Sequence, residues 1–395
     1  MRKDFYTQLD DEINNLKQKG TYKNFKHNTN ALDGKIKVEG FGDEIVLCSN
    51  NYLGLANNPE VIKAAHKALD QYGAGASSVR FICGTYDIHR ILEEQLANFL
   101  GMEAAISYSS CWAANTACIP SLLAEGDAVI SDELNHASII DGCRSVAKGV
   151  KKAVYKHSDI IDLEEKLIET KDCGAVLVVS DGVFSMEGDI AKLPELIGLC
   201  KKYNALLMID DSHATGVIGR TGRGTMEYFG TKEGVDIISG TFGKALGGAG
   251  GGFIAASKSI CAMLAQRSRP HLFSNSLPPV LCAIASAAIS YLDKNPQIVG
   301  SLREKTRYMR EKIKAMGLNP LEGDSAIVPI IIGDTASAIA ISEKMMIDGV
   351  FTIGFGFPVV PEGTARIRLQ ISDAISYEEL DQALAVIQRA FLATH

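Results

Sequence analysis

The sequence has no excess of basic residues and no long apolar run. Its 395 residues include 40 lysines and arginines against 47 aspartates and glutamates, which gives a net charge of −7. Because a nucleic-acid-binding protein needs cations to neutralise phosphates, this balance argues against nucleic acid as the main partner. No apolar stretch reaches the roughly 18 residues that a membrane-spanning helix needs, so we expect no membrane partner either.

The sequence also lacks closely spaced cysteine pairs. Nine cysteines are scattered without a C-x-x-C motif, and the opening residues Met1 to Phe5 lack the apolar stretch of a secretory signal. An odd number of unpaired cysteines is typical of free thiols in a reducing compartment. We therefore predict a cytoplasmic protein with no disulfide framework and no metal site.

Short aliphatic runs alternate with helical patterns through most of the chain. The runs 176–179, 205–209 and 237–238 are nearly continuous in apolar residues, as in strands buried on both faces of a parallel sheet. After about residue 285 mixed strands and helices follow. The pattern predicts an α/β fold: an N-terminal helix and arm (1–50), a large domain around a mostly parallel sheet (51–285), and a smaller C-terminal α+β domain (286–395).

Several helix boundaries carry local signals. Asn58 followed by Pro59 predicts a helix start, Asp87 is expected to cap the next helix, and Ser376 with Glu379 predicts a capping box. Apolar residues at helical spacing between residues 5 and 16 predict an amphipathic first helix. A solitary helix of that length needs a surface, so it should pack on a partner subunit or on its own chain.

Polar side chains follow each aliphatic run. They are Asp181 and Ser185 after the first run, Asp210, Asp211 and His213 after the second, and Thr241 and Lys244 after the third. In parallel α/β sheets ligands bind beyond the carboxyl ends of the strands, so these side chains are expected to meet in one site.

Two phosphate-binding motifs are excluded. The Walker A pattern fails around Lys244, because position 238 is Ile and position 245 is Ala. The segment 73–78 ends in Ser where the dinucleotide fingerprint G-x-G-x-x-G needs Gly, and no strand precedes it. Nucleotide hydrolysis and hydride transfer therefore lose their main support.

A strand-end lysine near an aspartate points to pyridoxal phosphate. A lysine amine can form a Schiff base with the aldehyde of this cofactor, and an aspartate suits its ring nitrogen. In this sequence Lys244 and Asp210 suit those two roles, and His213 or Ser185 suits the phenolic oxygen. The phosphate needs hydroxyls and a helix N-terminus. The residues that suit this need are Ser109 to Trp112, at an expected helix start, and Thr241.

Four motifs in order resemble the α-oxoamine synthase family of fold-type I pyridoxal phosphate enzymes, which join a small amino acid to an acyl-CoA. They are Ser49-Asn-Asn-Tyr-Leu-Gly-Leu55, Asn135-His-Ala-Ser138, Asp210-Asp-Ser-His-Ala-Thr-Gly216 and Gly240-Thr-Phe-Gly-Lys-Ala-Leu-Gly-Gly248. The resemblance covers essentially the whole chain. Three further stretches resemble the branch that uses glycine and acetyl-CoA: Ser78-Val-Arg-Phe-Ile-Cys-Gly-Thr85, Arg269-Pro-His-Leu-Phe-Ser-Asn-Ser276 and Phe357-Pro-Val-Val-Pro361.

The resemblance implies a role for each candidate residue. The implied catalytic residues are Lys244 (Schiff-base lysine and base), Asp210, His213 and His136 (ring stacking). The implied cofactor contacts are Cys111, Trp112, His136, Ser185, Asp210, His213, Thr241 and Lys244 in one subunit, and Ser274 and Asn275 from its neighbour, which makes a homodimer obligatory. The implied substrate contacts are Asn50, His136 and Arg368. Arg366 is the neighbouring arginine that could be mistaken for the substrate-binding one. Each role has a competing interpretation: Lys244 as a surface lysine, Asp210 as a helix cap, His213 and His136 as core histidines, and the segment with Ser274 and Asn275 as a plain loop.

The implied reaction joins glycine to acetyl-CoA and gives 2-amino-3-oxobutanoate and CoA. The reverse direction would cleave 2-amino-3-oxobutanoate with CoA during threonine breakdown. Three alternatives stay open: a family member with another acyl-CoA or amino acid, such as serine palmitoyltransferase or 8-amino-7-oxononanoate synthase; an aminotransferase or lyase that acts without CoA; and a non-catalytic scaffold. Fold alone does not separate them.

Overall fold

The computed structural model describes residues 2–357 and 359–392. Its helices are α1 (Arg2–Gln18), α2 (Pro59–Tyr72), α3 (Asp87–Leu100), α4 (Cys111–Leu122), α5 (Ala137–Arg144), α6 (Ile160–Glu169), α7 (Leu193–Lys202), α8 (Thr225–Phe229), α9 (Lys258–Arg267), α10 (Arg269–Phe273), α11 (Pro279–Lys294), α12 (Gln297–Ala315), α13 (Thr335–Ile347) and α14 (Tyr377–Leu392). Its strands are β1 (Lys35–Val38), β2 (Gly42–Val46), β3 (Ala104–Tyr108), β4 (Ala128–Asp132), β5 (Lys151–Tyr155), β6 (Val176–Asp181), β7 (Leu206–Asp210), β8 (Ile237–Thr241), β9 (Gly252–Ala256), β10 (Ile327–Gly333), β11 (Val350–Phe351), β12 (Gly354–Phe355) and β13 (Ala365–Gln370).

Seven strands form the central sheet, in the order β3-β9-β8-β7-β6-β4-β5. Strand β9 is antiparallel to its two neighbours, β3 and β8, and the other pairs run parallel. This arrangement confirms the predicted α/β class with a mostly parallel sheet. It also brings the carboxyl ends of β3, β4, β6, β7 and β8 to one edge.

The sheet is buried on both faces because its strands alternate between two apolar cores. Val178 and Ile209 point into one core, and their neighbours Leu177 and Met208 point into the other. All four side chains are at most 2 % exposed. Such two-sided burial explains why the strands appear in the sequence as continuous aliphatic runs instead of an alternating pattern.

Two three-stranded sheets lie outside the central one, in the orders β1-β2-β11 and β10-β13-β12. Strand β13 pairs antiparallel with both β10 and β12. Its last residue, Gln370, donates its backbone N–H to Leu47 O at 2.8 Å, which joins this sheet to the segment after β2. The division of the chain at residues 50 and 285 stays a prediction.

Most predicted helix boundaries agree with the structure. Asn58 accepts from the backbone N–H groups of Glu60 and Val61, so it caps α2. Ser376 and Glu379 form the reciprocal bonds of a capping box at 2.8 and 3.2 Å. The Asp87 prediction is wrong, because Asp87 is already the first residue of α3 and Tyr86 is its N-cap.

Helix α1 has no buried residue. Its apolar stripe is exposed: Phe5 by 58 %, and Leu9, Ile13 and Leu16 by 39 % each. The amphipathic helix is therefore confirmed, but its apolar face does not pack into the body of its own chain. Within the described ranges, no helix combines the length and the apolar character needed to cross a membrane.

Candidate active site

A cavity of about 220 Å³ lies at the carboxyl edge of the central sheet. It is lined by eight predicted site residues: Cys111, Trp112, His136, Ser185, Asp210, His213, Thr241 and Lys244. They come from the ends of five strands, so these strand-end polar groups converge as the parallel topology requires. Asp211 is the exception, because it does not line the cavity and its carboxylate accepts from Thr225 Oγ1 at 2.5 Å. The cavity wall also contains Ser110, Ser138, Asp181, Val183 and Ser212.

Four other predicted residues do not line this cavity. Arg368 lies next to it, since its Nη1 donates to the backbone oxygen of the lining residue Ser185 at 2.9 Å. Asn50 is connected to Arg368 through Gln370, which donates to Asn50 Oδ1 and accepts from Arg368 Nη2. Ser274 and Asn275 follow α10 and are exposed. The structure therefore brings the first pair next to the site and leaves the second pair at the surface of the chain.

Lys244 and Asp210 are the main charged groups of the cavity. Burial lowers the pKa of the Lys244 amine, although the neighbouring Asp210 carboxylate acts in the opposite direction. Burial also opposes the charge on Asp210, but hydrogen bonds from Ser212 and Asn115 outweigh it and lower the pKa of that carboxyl. The cavity thus holds an ionised carboxylate beside an amine that gives up its proton more easily than a surface lysine.

Asn115 holds the Asp210 carboxylate in place. Its Nδ2 donates to Asp210 Oδ2 at 2.6 Å and to Ser138 Oγ at 2.9 Å. The backbone N–H of Ser212 donates to the other carboxylate oxygen at 2.8 Å. These donors stabilise the charged form and fix the direction in which its free lone pairs point.

His136 packs edge-on against Trp112, with ring centroids 5.9 Å apart and an interplanar angle of 80°. Its backbone N–H donates to Asp181 Oδ2 at 3.0 Å, and its Nδ1 lies 2.8 Å from Ser138 Oγ. Burial, followed by the nearby Asp210, raises the pKa of Asp181 well above its usual range. Asp181 therefore anchors the His136 loop, and its charged form is disfavoured relative to that of Asp210.

His213 is buried and uncharged. Burial and the cations of Lys244 and Arg368 hold the pKa of its imidazole well below the usual value. Its Nδ1 lies 2.8 Å from the hydroxyl of Tyr52, a side chain with no exposed surface. Its other ring nitrogen has no hydrogen-bond partner among the described residues, and His213 itself lines the cavity.

The two arginines of β13 have different partners. Arg366 Nη1 donates to the carboxylate of Glu187 at 2.9 Å, so its charge is already neutralised. Arg368 Nη2 donates to Gln370 Oε1 at 2.9 Å, and no carboxylate pairs with Arg368 within the described part of the chain. The Nε–H of Arg368 is buried without an acceptor there. Arg368 is therefore the arginine that can receive a substrate carboxylate.

Cys111 opens helix α4 close to Asp210, with the two side chains 3.5 Å apart. Burial, followed by the Asp210 charge, raises the pKa of its thiol well above the usual value. The thiolate is the nucleophilic form of cysteine, and this shift disfavours it, so the site gives no support to Cys111 as an acyl-carrying nucleophile. A Cβ on Gly252 would overlap the backbone nitrogen of Cys111, so glycine there lets β9 approach the helix start.

An ionic cluster joins the loops behind the cavity. His157 Nδ1 lies 3.0 Å from Asp132, at the end of β4, and its Nε2 lies 3.0 Å from Asp189, in the loop after β6. The ring also packs edge-on against Phe184, with centroids 4.3 Å apart. The loop after β4 carries His136 and the loop after β6 carries Ser185, so this cluster supports two walls of the site.

Stability should fall at high pH because of this cluster. Burial works against a charged imidazole, but hydrogen bonds to Asp132 and Asp189 outweigh it and raise the pKa of His157 to about 10. Since the unfolded value is about 6.5, the stabilisation is complete below that pH and is lost as the pH approaches 10. The free energies of unfolding of wild type and His157→Gln, measured in urea, should differ most near pH 6 and become equal towards pH 10. A constant difference would contradict the assignment.

Sequence reasoning missed several functional neighbours. Asn115 lies outside the quoted motifs, and Ser138 and Ser212 lie inside two of them without a predicted role. Only their contacts with Asp210 or with each other reveal them. Tyr52 lies inside the quoted motif 49–55, yet its contact with His213 spans 161 positions of the chain. Asp181 is not among the missed residues, because it follows an aliphatic run as Asp210 does and is expected at the site from that position.

Comparison with known proteins places this site in a family. The profile of the family "Aminotransferase class I and II" matches residues 42–387. The chain therefore belongs to that family and is a fold-type I pyridoxal phosphate enzyme. This confirms the resemblance drawn from the motifs.

Two relatives and one solved structure are similar to this chain over nearly its whole length. The chain is 45 % identical over 391 residues to 2-amino-3-ketobutyrate coenzyme A ligase of Salmonella typhimurium, covering 98 % of each chain. It is 41 % identical over 382 residues to 8-amino-7-oxononanoate synthase of Symbiobacterium thermophilum, covering 96 % of each. The structure of serine palmitoyltransferase from Sphingomonas wittichii superposes with a TM-score of 0.92 at 31 % identity, covering 98 % of this chain and 97 % of that one.

Proposed function

We propose that the protein is a pyridoxal phosphate-dependent acyltransferase that joins glycine and acetyl-CoA into 2-amino-3-oxobutanoate and CoA, and that also runs the reverse reaction in threonine breakdown. The observation that carries the proposal is the 45 % identity, over nearly all of both chains, to a 2-amino-3-ketobutyrate coenzyme A ligase. The cavity supports it, since the amine, the carboxylate and the imidazole that such chemistry needs line one site.

The residues of the cavity suit pyridoxal phosphate. When bound, this cofactor supplies an aldehyde carbon for an amine and a protonated ring that accepts an electron pair. Lys244 Nζ is the only lysine amine that lines the cavity within the described ranges. Asp210 is held ionised and so can keep a ring nitrogen protonated. His213 and Ser185 are assigned to the phenolic oxygen, and His136 with Trp112 to the faces of the ring.

The phosphate group is assigned to the start of helix α4. The first backbone N–H groups of a helix, here those of Cys111 and Trp112, have no acceptor within the helix and attract anions. Thr241 lies on the same wall, where its hydroxyl donates to Gly251 O at 3.0 Å. That contact holds the glycine-rich turn beside Lys244.

Arg368 is assigned to the carboxylate of glycine, with Asn50 beside it. The buried Nε–H of Arg368 lacks an acceptor among the described residues, and a carboxylate would satisfy it. A guanidinium binds a carboxylate with two parallel hydrogen bonds, which fixes the orientation of the amino acid. Held in this way, glycine presents one α-proton to Lys244 Nζ, which removes it as the base.

We further propose a homodimer in which Ser274 and Asn275 complete the neighbouring subunit's phosphate site. Both residues are exposed, and the adjacent Phe273 is 68 % exposed. Phe81 and Ile82 are also 63 % and 69 % exposed, and their loop is joined to this segment by the Ser276 N–H bond to Ser78 O at 3.1 Å. Apolar surface of this kind indicates an interface, and the exposed stripe of α1 offers further surface. The cytoplasmic location stays a prediction.

A CoA-release assay tests the reaction. The protein, loaded with pyridoxal phosphate, is given acetyl-CoA with glycine, alanine or serine, and then glycine with acyl-CoAs of increasing length. Glycine with acetyl-CoA should give the highest kcat/KM, at least about tenfold above alanine, because one extra methylene in a fitted pocket costs that much. The product should be identified by mass as 2-amino-3-oxobutanoate.

The 41 % identity to 8-amino-7-oxononanoate synthase supports a second candidate, a family member that uses a longer acyl-CoA. A higher kcat/KM with a longer acyl-CoA would replace the first proposal by the second. Preference for serine would indicate the specificity of a serine palmitoyltransferase. Amino-group transfer without CoA would indicate an aminotransferase, and absence of any bound cofactor would indicate a scaffold.

A further inference from the structure

We infer that Tyr52 and Gln370 are positioning residues that form a one-way hydrogen-bond relay from Arg368 to His213 and thereby set the tautomer of His213. The relay rests on the proposed function, since it assigns a purpose to two residues of that site. It consists of four side chains, each at most 9 % exposed, in the order Arg368, Gln370, Tyr52 and His213.

The direction of the relay begins at Arg368. A guanidinium has only donors, so the atom of Gln370 that faces Arg368 Nη2 at 2.9 Å must be the amide oxygen. This contact fixes the orientation of the Gln370 amide. The NH₂ group then points the other way, where it donates to Asn50 Oδ1 at 2.8 Å and to the Tyr52 oxygen at 2.7 Å. Both amide hydrogens of Gln370 are used.

The hydroxyl of Tyr52 continues the relay by accepting from Gln370 and donating to His213. Its oxygen accepts from Gln370, so its single hydrogen is free to be donated, and His213 Nδ1 lies 2.8 Å away. Burial raises the pKa of Tyr52 to about 12, so the hydroxyl keeps that hydrogen. Leaving it unpaired in a fully buried position would cost about 1–3 kcal/mol, so Tyr52 donates and Nδ1 accepts.

The relay leaves His213 with one possible tautomer. An uncharged imidazole whose Nδ1 accepts a hydrogen bond carries its proton on Nε2. This proton is available to a cavity ligand, since Nε2 has no partner among the described residues. His213 is thus fixed as a neutral donor, the form that stabilises negative charge on the phenolic oxygen of the cofactor. In the opposite tautomer, Nε2 would present a lone pair to that oxygen.

The consequence is that the substrate-carboxylate site and the cofactor site are linked. The same guanidinium that is assigned to the glycine carboxylate orients the amide on which the His213 proton depends. Gln370 and Tyr52 touch neither substrate nor cofactor in this scheme and act only through Arg368 and His213.

Nitrogen NMR on histidine-labelled protein tests the tautomer without any cofactor. The His213 signals are assigned by their loss in His213→Gln. In wild type, Nε2 should be protonated and Nδ1 unprotonated near neutral pH. In Tyr52→Phe the donor to Nδ1 is gone, and the Nδ1–H form should become populated. In Gln370→Glu the introduced carboxylate accepts the Tyr52 hydrogen, so the same change is expected.

Absorbance of the protein loaded with pyridoxal phosphate gives an independent measurement. The visible absorbance of the bound cofactor is followed against pH, and the midpoint of its change is compared. Loss of the fixed Nε2–H donor of His213 should raise this midpoint by on the order of one pH unit in Tyr52→Phe and in Gln370→Glu, because a hydrogen bond to the charged phenolic oxygen favours its charged form. Two matched controls change side-chain hydrogen bonds elsewhere. Tyr108→Phe loses a contact with Ser268 Oγ at 3.2 Å, and Gln95→Glu changes an amide bonded to Ser290. Neither control should move the midpoint.

Three outcomes would overturn the relay: a wild-type His213 that carries its proton on Nδ1, a tautomer unchanged in Tyr52→Phe, or equal midpoint shifts in the controls. A merely structural role would lower the unfolding temperature of Tyr52→Phe and Tyr108→Phe alike and leave the tautomer unchanged. Failure of the proposed function is distinguishable, since the CoA-release assay decides the reaction, while the NMR measurement needs no cofactor and would still decide the relay.

Discussion

Lys244→Ala protein, mixed with pyridoxal phosphate in a buffer free of amines, is expected to show no visible band from a lysine-bound cofactor. It should also lose glycine-dependent release of CoA by roughly a thousandfold or more, because one substitution removes both the amine that bonds the cofactor and the base at the glycine α-carbon. The difference spectrum against free pyridoxal phosphate and the CoA-release rate measure the two losses.

The control for this experiment is Lys305→Ala. Lys305 is partly buried, pairs with Asp373 at 2.9 Å and does not line the cavity. Its loss should lower the unfolding temperature without changing the visible band. The assignment of Lys244 would be wrong if its variant kept the band and folded normally by circular dichroism.

The site could be predicted from the sequence to the extent that it depends on strand ends. Buried parallel strands appear as aliphatic runs, and topology requires their carboxyl ends to meet at one edge. Asp210, His213 and Lys244 follow such runs directly, so their convergence needed no knowledge of side-chain packing. The chemistry of these side chains then narrowed the choice of cofactor, since an amine beside an ionised carboxylate suits few cofactors.

The supporting contacts could not be predicted in this way. Gln370 meets Tyr52 across 318 positions, and Asn115 meets Asp210 across 95. Such pairs depend on how separate elements dock, and no periodicity in the sequence records that docking. The period of two in a strand puts Arg366 and Arg368 on the same face, so only the carboxylate of Glu187 distinguishes the paired arginine from the available one.

The sequence signal for the start of α3 gave the wrong N-cap residue, because Tyr86 and not Asp87 takes that position. Asp87 is a good capping residue, yet the helix begins one residue earlier because the Tyr86 N–H donates to His89 Nδ1 at 3.0 Å. Strand β9 was not predicted because it follows a run of glycines, and its first residue is itself Gly252. That glycine is needed where the strand approaches the start of α4.

A mixture of two inactive variants is expected to regain activity if the proposed dimer is correct. One variant is Lys244→Ala, and the other replaces both Ser274 and Asn275 by Ala. In a mixed dimer, the site with the intact Lys244 receives Ser274 and Asn275 from the Lys244→Ala chain, so one of its two sites is complete. Random exchange at equal amounts should restore activity to about a quarter of the wild-type value, since half of the dimers are then mixed.

The matched control mixes Lys244→Ala with Asp210→Asn. Lys244 and Asp210 line the same cavity of a single chain, so each site of a mixed dimer contains one defect and no site is complete. This mixture should stay inactive, which separates shared sites from a general effect of mixing. Subunit exchange is checked by native mass spectrometry of the mixtures. Rescue in the control, or no rescue in the Ser274 and Asn275 mixture despite proven exchange, would rule out a contribution of these residues to the neighbouring subunit.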